Sequence, residues 1–391
     1  MILLDKPYIS DFLKQYLLEA QVPIIHTNEA VSMLDDEAYH FISETDAVDM
    51  ISRNHHQALY TNTENSIAWV EANLPQSEPL RNIHIFKDKH GLRELLRPLS
   101  LNYFYTKVPM DALETVDFTS FSFPLIIKPN IGFFSMGIAR VDSPDDWLKA
   151  VQGIKQELQL SDGLYPKTVF DAQEFVVEEY IDGDEYAVDC YFDDNGKVVV
   201  LNILSHLFAD KNDVSDRVYI TSKAIMKSLL TPVEKYLNQL GNMAKLKNFP
   251  LHLEFRRKST GEIIHIEGNP MRFGGWCTTP DLAWYSFGLN LYAYYFEKKR
   301  PDWNSIFETM DDNIYSMILL NNSSGIEGRR IDSFDYSSLM QRFEKPLVLR
   351  KTNFRDYPLF GFLFCKTRPQ NMGELYSILR SSLSEFITAK I

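Results

Sequence analysis

Two glutamates and an asparagine in the second half of the chain have types and a spacing that could bind a metal ion. In residues 251–270, LHLEFRRKSTGEIIHIEGNP, apolar and polar residues alternate on both sides of a turn centred on residues 260–261. This pattern predicts a hairpin with one buried face and fixes its register. The register places Glu254 opposite Glu267, with Asn269 two residues further on the same face. Because directly opposed carboxylates repel each other, we expect a positive charge between them.

A hard divalent cation such as Mg²⁺ is one candidate for that charge. Two carboxylates and one neutral amide oxygen suit Mg²⁺, which keeps several waters and shares its other positions with substrate phosphates. The hairpin therefore also points to a bound nucleotide. The alternative is an ordinary exposed hairpin, in which Arg256 and nearby lysines neutralise the glutamates. The alternation alone leaves both interpretations open.

A lysine and a glycine-containing loop follow the apolar run in residues 123–130, FPLIIKPN. Lys128, at the end of this predicted strand, could offer a point charge to phosphate or extend into solvent. In residues 130–137, two glycines and Ser135 could present backbone N–H groups to phosphate oxygens. The loop lacks the Lys and Ser/Thr of a Walker P-loop, and the chain has no G-x-G-x-x-G, H-E-x-x-H or G-x-S-x-G motif. Dinucleotide-binding, zinc-protease and serine-hydrolase sites are therefore disfavoured.

Composition excludes several classes of protein. The chain has 391 residues, of which 45% are hydrophobic and 24% charged, as expected for a soluble globular protein of two or three domains. A formal charge of −13 disfavours nucleic acid as a partner. No apolar run is long enough to predict a membrane span, and the N-terminus shows no signal peptide. Three dispersed cysteines favour a reducing compartment, so we expect a cytoplasmic protein.

The order of apolar runs predicts the elements that position these residues. Residues 1–88 alternate strand-like and helix-like runs, with a strand expected at 82–86, as in a small α/β domain. Strands joined by tight turns follow, including 174–181 and 184–192. Residues 301–391 form a last region of mixed elements with no predicted chemistry.

Four segments together resemble the ATP-grasp superfamily over about residues 85–290. In the family's order, the chain has FKDKHGLRELL, the lysine strand and loop PLIIKPNIGFFSMG, the acidic pair VVEEYIDGDEYAVD, and the hairpin HLEFR to HIEGNP. The resemblance implies an α/β (α+β) chain with the ATP-grasp fold. Residues 1–88 would be its N-terminal Rossmann-like pre-ATP-grasp domain, and 89–182 and 183–300 would be the central and C-terminal ATP-grasp subdomains.

The same resemblance implies roles for individual residues. Lys89 and Lys128 would hold ATP phosphates beneath the 132–137 loop. Glu178 would face the adenine amino group and Glu185 the ribose hydroxyls, although both could instead be solvated strand carboxylates. The implied nucleotide-binding residues are Lys89, Lys128, Ser135, Met136, Gly137, Glu178, Glu179, Tyr180, Ile181 and Glu185, and the implied metal ligands are Glu254, Glu267 and Asn269.

One position departs from the family pattern Glu-x-Asn-Pro-Arg, because Met271 stands where the family has arginine. Arg272, the next residue, could still turn towards the transferred phosphoryl group, with Lys128 as the second catalytic cation. Arg217, in a polar stretch, could grip a substrate carboxylate or pair with a neighbouring aspartate. His206 is either a base or a satisfied strand histidine. The candidate substrate residues are Arg217, Arg256, Arg272 and His206.

The resemblance implies an ATP- and Mg²⁺-dependent ligase that forms a C–N bond. A small-molecule carboxylate, such as an amino acid or peptide, would be activated as an acyl phosphate and captured by an amine. Two Mg²⁺ ions are expected, with Mn²⁺ as an alternative metal. Two other functions stay open: a nucleotide-binding regulatory module that has lost ligation, and a kinase on the same scaffold. No nucleic-acid or membrane partner is expected, and a dimer is compatible with the sequence.

Overall fold

The computed structural model describes residues 1–34, 38–54, 57–117, 121–132, 137–161, 171–210, 213 and 215–390. Strands and helices alternate along the chain, which confirms the predicted α/β class. The strands are β1 (Ile2–Leu3), β2 (Ile24–Ile25), β3 (Phe41–Ile42), β4 (Tyr60–Thr61), β5 (Tyr105–Pro109), β6 (Leu125–Ile131), β7 (Ala139–Val141), β8 (Asp171–Glu179), β9 (Asp184–Phe192), β10 (Val198–Leu207), β11 (Val218–Thr221), β12 (Phe249–Arg257), β13 (Ile263–Pro270), β14 (Ile314–Asn321), β15 (Ile331–Phe334), β16 (Pro346–Lys351), β17 (Leu359–Thr367) and β18 (Ile387–Ala389).

The helices are amphipathic segments of moderate length. None of those in the described residues has the length and apolar character needed to cross a membrane. They are α1 (Asp11–Ala20), α2 (Asn28–Met33), α3 (Glu44–Arg53), α4 (Ile67–Asn73), α5 (Glu78–Lys87), α6 (Lys89–Leu96), α7 (Trp147–Ser161), α8 (Lys223–Ala244), α9 (Thr278–Phe287), α10 (Leu291–Phe296), α11 (Trp303–Thr309), α12 (Tyr336–Met340) and α13 (Gly373–Arg380).

Contacts divide the chain into two compact units. The first unit comprises Met1–Gly183, Tyr191–Val198 and Lys235–Trp276, and the second comprises Asp184–Cys190, Val199–Glu234 and Cys277–Ile391.

The first unit begins with a parallel sheet of order β3-β2-β1-β4. Several of its helices start where a serine or threonine oxygen accepts a free backbone N–H group, as at Ser10 before α1 and Ser77 before α5. The strand predicted at residues 82–86 is wrong, because this stretch lies inside α5. The Ser77 cap and the proline in the first turn of α5 favour a helix there, although its apolar residues also fit a short strand.

A second, antiparallel sheet in the first unit has the order β5-β8-β6-β7. Helix α7 packs on it through Trp147, Val151 and Ile154, which are buried with β6 residues Leu125 and Ile127. Burying this apolar face holds β6 and β8 in register, with Ile126 opposite Glu178 and Lys128 opposite Val176. Lys128 and Glu178 therefore project from the same face.

The hairpin of β12 and β13 confirms the predicted pairs, with Glu254 opposite Glu267 and His252 opposite Asn269. The predicted turn centre is nevertheless wrong by half a residue. Arg257 pairs with Ile263, and the backbone N–H of Lys258 donates to the Glu262 carbonyl. A β-bulge at Ile266 inserts one extra residue, which restores the predicted register at the glutamates.

The second unit contains an antiparallel sheet in which β10, β11, β14, β17 and β16 lie side by side in that order. One face of it buries an apolar core that includes Ile318, Phe360, Leu363, Leu375 and Leu379, the last two from α13. The strands β15 and β18 form a separate antiparallel pair.

Candidate active site

Lys128, Glu178 and Arg93 form a buried ionic cluster in the first unit, which we call the Glu178 cluster. Lys128 is only 3% exposed, and its Nζ lies 2.6 Å from Glu178 Oε1. Arg93, on α6, donates from Nε to Glu178 Oε2 at 2.9 Å and from Nη2 to Oε1 at 3.1 Å. Burial opposes ionisation of Glu178, but Arg93 and Lys128 outweigh it and hold the glutamate pKa at about 2. Glu178 is therefore a carboxylate at neutral pH.

Lys89 is the second predicted phosphate lysine, at the start of α6. Its Nζ donates to the Gly132 carbonyl at 3.0 Å and lies 3.8 Å from Glu267 Oε2. Burial lowers the pKa of Lys89 to about 8, and the neighbouring Glu267 carboxylate partly opposes this shift. Lys89 thus contacts both the base of the predicted phosphate loop and one of the predicted metal ligands.

Asn130 joins the base of this loop to α6. Its side-chain oxygen accepts from the His90 backbone N–H at 2.8 Å, and its amide donates to Asp88 Oδ1 at 3.0 Å. Asp88 is itself the N-cap of α6, accepting from the Gly91 N–H. These bonds hold Lys89 beside the loop.

The loop itself is described only at its ends. Ser135 and Met136 lie outside the described residues. Gly137 has a φ of +69°, which favours glycine, and its N–H donates to the Glu157 carboxylate at 3.1 Å. In this structure a carboxylate thus occupies one of the N–H groups expected to meet phosphate.

The predicted metal ligands Glu254, Glu267 and Asn269 lie on one face of the β12–β13 hairpin. The glutamate side chains are 27% and 19% exposed, whereas Asn269 is buried. Within the described residues, no group of three or more His, Cys, Asp and Glu side chains is arranged to hold a metal. The hairpin offers two carboxylates and an amide, all hard oxygen donors, so this set suits Mg²⁺ that also keeps water or phosphate ligands.

The predicted adenine-lining segment, Glu179 to Ile181, follows β8. The Tyr103 hydroxyl donates to the Glu179 carbonyl at 2.9 Å. Arg256 donates to the Ile181 carbonyl at 2.9 Å, and its guanidinium lies 4.7 Å from the centre of the Tyr180 ring. Arg256 therefore holds this segment, which is not the substrate-binding role suggested from the sequence.

A second buried ionic cluster contains Arg272, Glu64 and Lys87, which we call the Glu64 cluster. Arg272 Nη2 donates to Glu64 Oε1 at 2.9 Å, and Lys87 Nζ donates to Glu64 Oε2 at 2.6 Å. Burial opposes ionisation of Glu64, but the two cations hold its pKa at about 2. Met271, at the family's arginine position, is buried with a φ of +61°, and its backbone bonds to Thr61 and Pro250. Arg272 is thus ion-paired with the N-terminal region.

In the second unit, Glu185 and His206 bind each other. His206 Nδ1 lies 2.8 Å from Glu185 Oε1, Nε2 lies 3.0 Å from the Ser215 carbonyl, and the ring stacks on Tyr219. Both ring nitrogens have partners, so His206 is the satisfied strand histidine that the sequence left as an alternative.

Arg217 also differs from its suggested role as a substrate ligand. It is 4% exposed and donates to the carbonyls of Ile378, Ser381 and Asn321 and to the Ser323 hydroxyl. Because these bonds use its guanidinium within the second unit, we do not include Arg217 among the proposed substrate residues.

Sequence reasoning missed Arg93, Glu64 and Lys87. A signal for Arg93 exists, because it lies four residues after Lys89 and therefore on the same face of α6. Glu64 and Lys87 lie 23 residues apart in polar surroundings that resemble exposed surface in the sequence.

Known proteins resemble the chain in sequence over one segment and in fold over its whole length. Residues 121–280, which include the lysine strand, the acidic strands and the hairpin, match the family model of the ATP-grasp domain. No curated protein sequence matches the chain.

Several solved structures have a similar fold. An L-amino acid ligase from Bacillus licheniformis is 16% identical with a TM-score of 0.66, covering 100% of this chain and 98% of its own. N5-carboxyaminoimidazole ribonucleotide synthetase from Thermotoga maritima is 14% identical with a TM-score of 0.60, covering 99% and 98%. Biotin carboxylase from Campylobacter jejuni is 11% identical with a TM-score of 0.62, covering 100% and 91%. Residues 121–280 of the chain thus match the ATP-grasp domain, and the whole chain shares its fold with these solved enzymes.

Proposed function

We propose that the protein is an ATP- and Mg²⁺-dependent ligase that joins a small carboxylic acid to an amine through an acyl phosphate. The observation that carries this proposal is the position of Lys89, between the Gly132 carbonyl of the loop and the Glu267 carboxylate of the hairpin. Lys89, the predicted phosphate-binding cation, therefore contacts Glu267, a predicted metal ligand. The fold shared with an L-amino acid ligase supports an amino acid or peptide as the acid.

The chain's own residues would contribute charge and position. A carboxylate and ATP repel each other, and Lys89 and Lys128 would lower that repulsion by binding phosphate oxygens. Buried ammonium groups are effective because their charge is weakly screened. Holding the two reactants together can supply about 7–11 kcal/mol of the barrier reduction.

Glu254, Glu267 and Asn269 would hold Mg²⁺, with two ions proposed. When bound, Mg²⁺ supplies charge neutralisation at the phosphate oxygens. The two glutamates face each other across the hairpin, and Lys89 lies near only one of them, at 3.8 Å. A cation between the glutamates would relieve their mutual repulsion.

The chain has three cysteines, Cys190, Cys277 and Cys365, which are dispersed in the sequence and buried. This supports a reducing compartment, and we propose that the enzyme is cytoplasmic.

The test is ADP formation by the purified protein with pairs of L-amino acids, dipeptides and simple amines, followed by product mass. We expect ADP only when an acid and an amine are both present. Glu267→Gln should lower kcat at least about 100-fold. Glu262→Gln, at the exposed tip of the same hairpin, is the matched control and should keep activity. Full activity in Glu267→Gln would contradict the metal assignment, and a phosphorylated product would indicate a kinase.

One observation favours a second candidate, a nucleotide-binding regulatory module. Arg272 pairs with Glu64, and Met271 stands buried at the family's arginine position. ATP binding without ADP release across the whole panel would support this function over ligation.

A further inference from the structure

We propose that Arg93, acting through Glu178, is the positioning residue that fixes the Lys128 ammonium for the nucleotide phosphate. Neither the sequence nor the family comparison gave Arg93 a role. The inference rests on the proposed function, because it assumes that Lys128 binds ATP.

Both carboxylate oxygens of Glu178 bind cations. Oε2 accepts from Arg93 Nε at 2.9 Å, and Oε1 accepts from Arg93 Nη2 at 3.1 Å and lies 2.6 Å from Lys128 Nζ. All three side chains are buried. Glu178 therefore bridges arginine and lysine, which differs from the contact with the adenine amino group implied by the family resemblance.

Besides Glu178, the residues His265 and Tyr103 contact the Arg93 guanidinium. Its Nη1 donates to the His265 carbonyl at 2.6 Å and lies 3.2 Å from His265 Nε2. The Tyr103 ring lies under the guanidinium, with its centre 4.6 Å from Cζ. Tyr236 Oη lies 3.1 Å from His265 Nδ1 and so supports the imidazole. Only the planar fork of arginine can make these contacts together with the bidentate pair to Glu178.

Two contacts fix the direction of the Lys128 ammonium. An ammonium has three N–H donors. One is directed at Glu178, and a second at the carbonyl of the bulged residue Ile266, 3.2 Å away. Two fixed donors determine where the third points, so Lys128 can bind an external anion without a search through rotamers.

The Glu178 cluster carries a net positive charge. The cluster holds two cations, Arg93 and Lys128, and one carboxylate, Glu178. An uncompensated buried positive charge is costly, and a phosphate oxygen would compensate it.

The experiment measures binding of Mg-ATP to the full chain by isothermal titration calorimetry. Arg93→Lys keeps the charge but removes the fork, and we expect the Kd for ATP to rise at least tenfold, while kcat falls by a smaller factor than the Kd rises. The matched control is Arg97→Lys, at the residue that follows α6. Arg97 is exposed, pairs with Glu94 and donates to the Tyr105 hydroxyl, so this variant should bind ATP as the wild type does.

A second variant keeps the test informative if Arg93→Lys folds poorly, as judged by near-ultraviolet circular dichroism. Glu178→Gln has the same shape and should weaken ATP binding to a similar extent. Because Arg93 acts through Glu178, the double variant should be no weaker than the worse single variant. Additive losses would overturn this pathway from Arg93 to Lys128.

The outcomes separate the two proposals. A wild-type protein that does not bind Mg-ATP overturns the proposed function and this role with it. A wild type that binds ATP, with Arg93→Lys binding equally well, overturns the role of Arg93 alone.

Discussion

The Glu178 cluster and the Glu64 cluster have the same composition but different geometry. Each contains one buried glutamate between a lysine and an arginine, and each glutamate has a pKa of about 2. In the Glu178 cluster the arginine binds the carboxylate through two nitrogens, whereas Arg272 uses one nitrogen for Glu64 and another for the Phe273 carbonyl.

This difference in geometry indicates two uses of buried charge. One cluster stabilises the fold, and the other orients a side chain towards a ligand. The Glu64 cluster ties segments that are 208 residues apart in the sequence, through Arg272 and Glu64. The Glu178 cluster instead orients Lys128, which lies in the middle of β6 and not at the strand end predicted from the sequence, on the strand that leads into the predicted phosphate loop. Similar electrostatics can therefore support folding in one place and binding in another, and the predictions below test that separation.

The largest expected effect comes from removing the charge of Glu64. Glu64→Gln leaves Lys87 and Arg272 buried without a counter-ion, so the free energy of unfolding should fall by about 3–5 kcal/mol. Urea denaturation measures this loss. The Kd for ATP, measured below the melting temperature, should stay within threefold of wild type. A large loss of ATP affinity would show that the two clusters are not separate in function.

Acid should weaken both clusters over the same pH range. The folded-state pKa of each glutamate, about 2, lies below the ordinary value of 4.5. Their contribution is therefore complete above pH 4.5 and is lost as the pH falls towards 2, by about 3 kcal/mol for each group. Unfolding free energy measured against pH should show this slope, and Glu64→Gln or Glu178→Gln should each reduce it. An unchanged slope in both variants would contradict the assignment.

Removing the lysine from each cluster should separate the clusters by ligand binding. Lys128→Met should weaken ATP binding at least 100-fold, which is about 2.7 kcal/mol. Lys87→Met should leave the affinity within threefold, because the Lys87 ammonium is paired with Glu64, 2.6 Å away. Titration calorimetry with Mg-ATP compares the two. Equal losses of ATP affinity in the two variants would contradict separate roles for the two clusters.

The smallest effect concerns Lys89, which senses charges of both clusters. Its pKa is lowered to about 8 by burial, with further contributions from Glu267, Lys87, Lys128 and Glu64. The ammonium is charged below that pH and neutral above it, so ATP affinity should fall by up to about tenfold as the pH rises from 7 to 9. Lys89→Arg should give a flatter profile. A flat wild-type profile would mean that Lys89 does not bind phosphate as an ammonium.

The sequence predicted the glutamate pairing because alternation and a turn together specify register. It could not reveal the bulge at Ile266, since one extra residue and a displaced turn centre cancel at Glu254 and Glu267. The helix at α5 was mistaken for a strand because its apolar residues also fit a short strand.

The contacts of Arg93 and Arg272 were out of reach for a different reason. Each bonds to a carboxylate 85 or 208 residues away, and no local pattern encodes such a pair. Arg217 shows the converse, because a polar stretch suggested exposure, yet its guanidinium is buried among main-chain carbonyls.

The bulge at Ile266 has a consequence for engineering this hairpin. The bulge fixes the register of Glu267 and Asn269 and lies next to Glu267, whereas the tip of the hairpin is at 258–262. The tip could therefore accept an inserted peptide or a fluorescent probe without moving the carboxylates, and deleting Ile266 would remove the bulge while keeping Glu267 opposite Glu254.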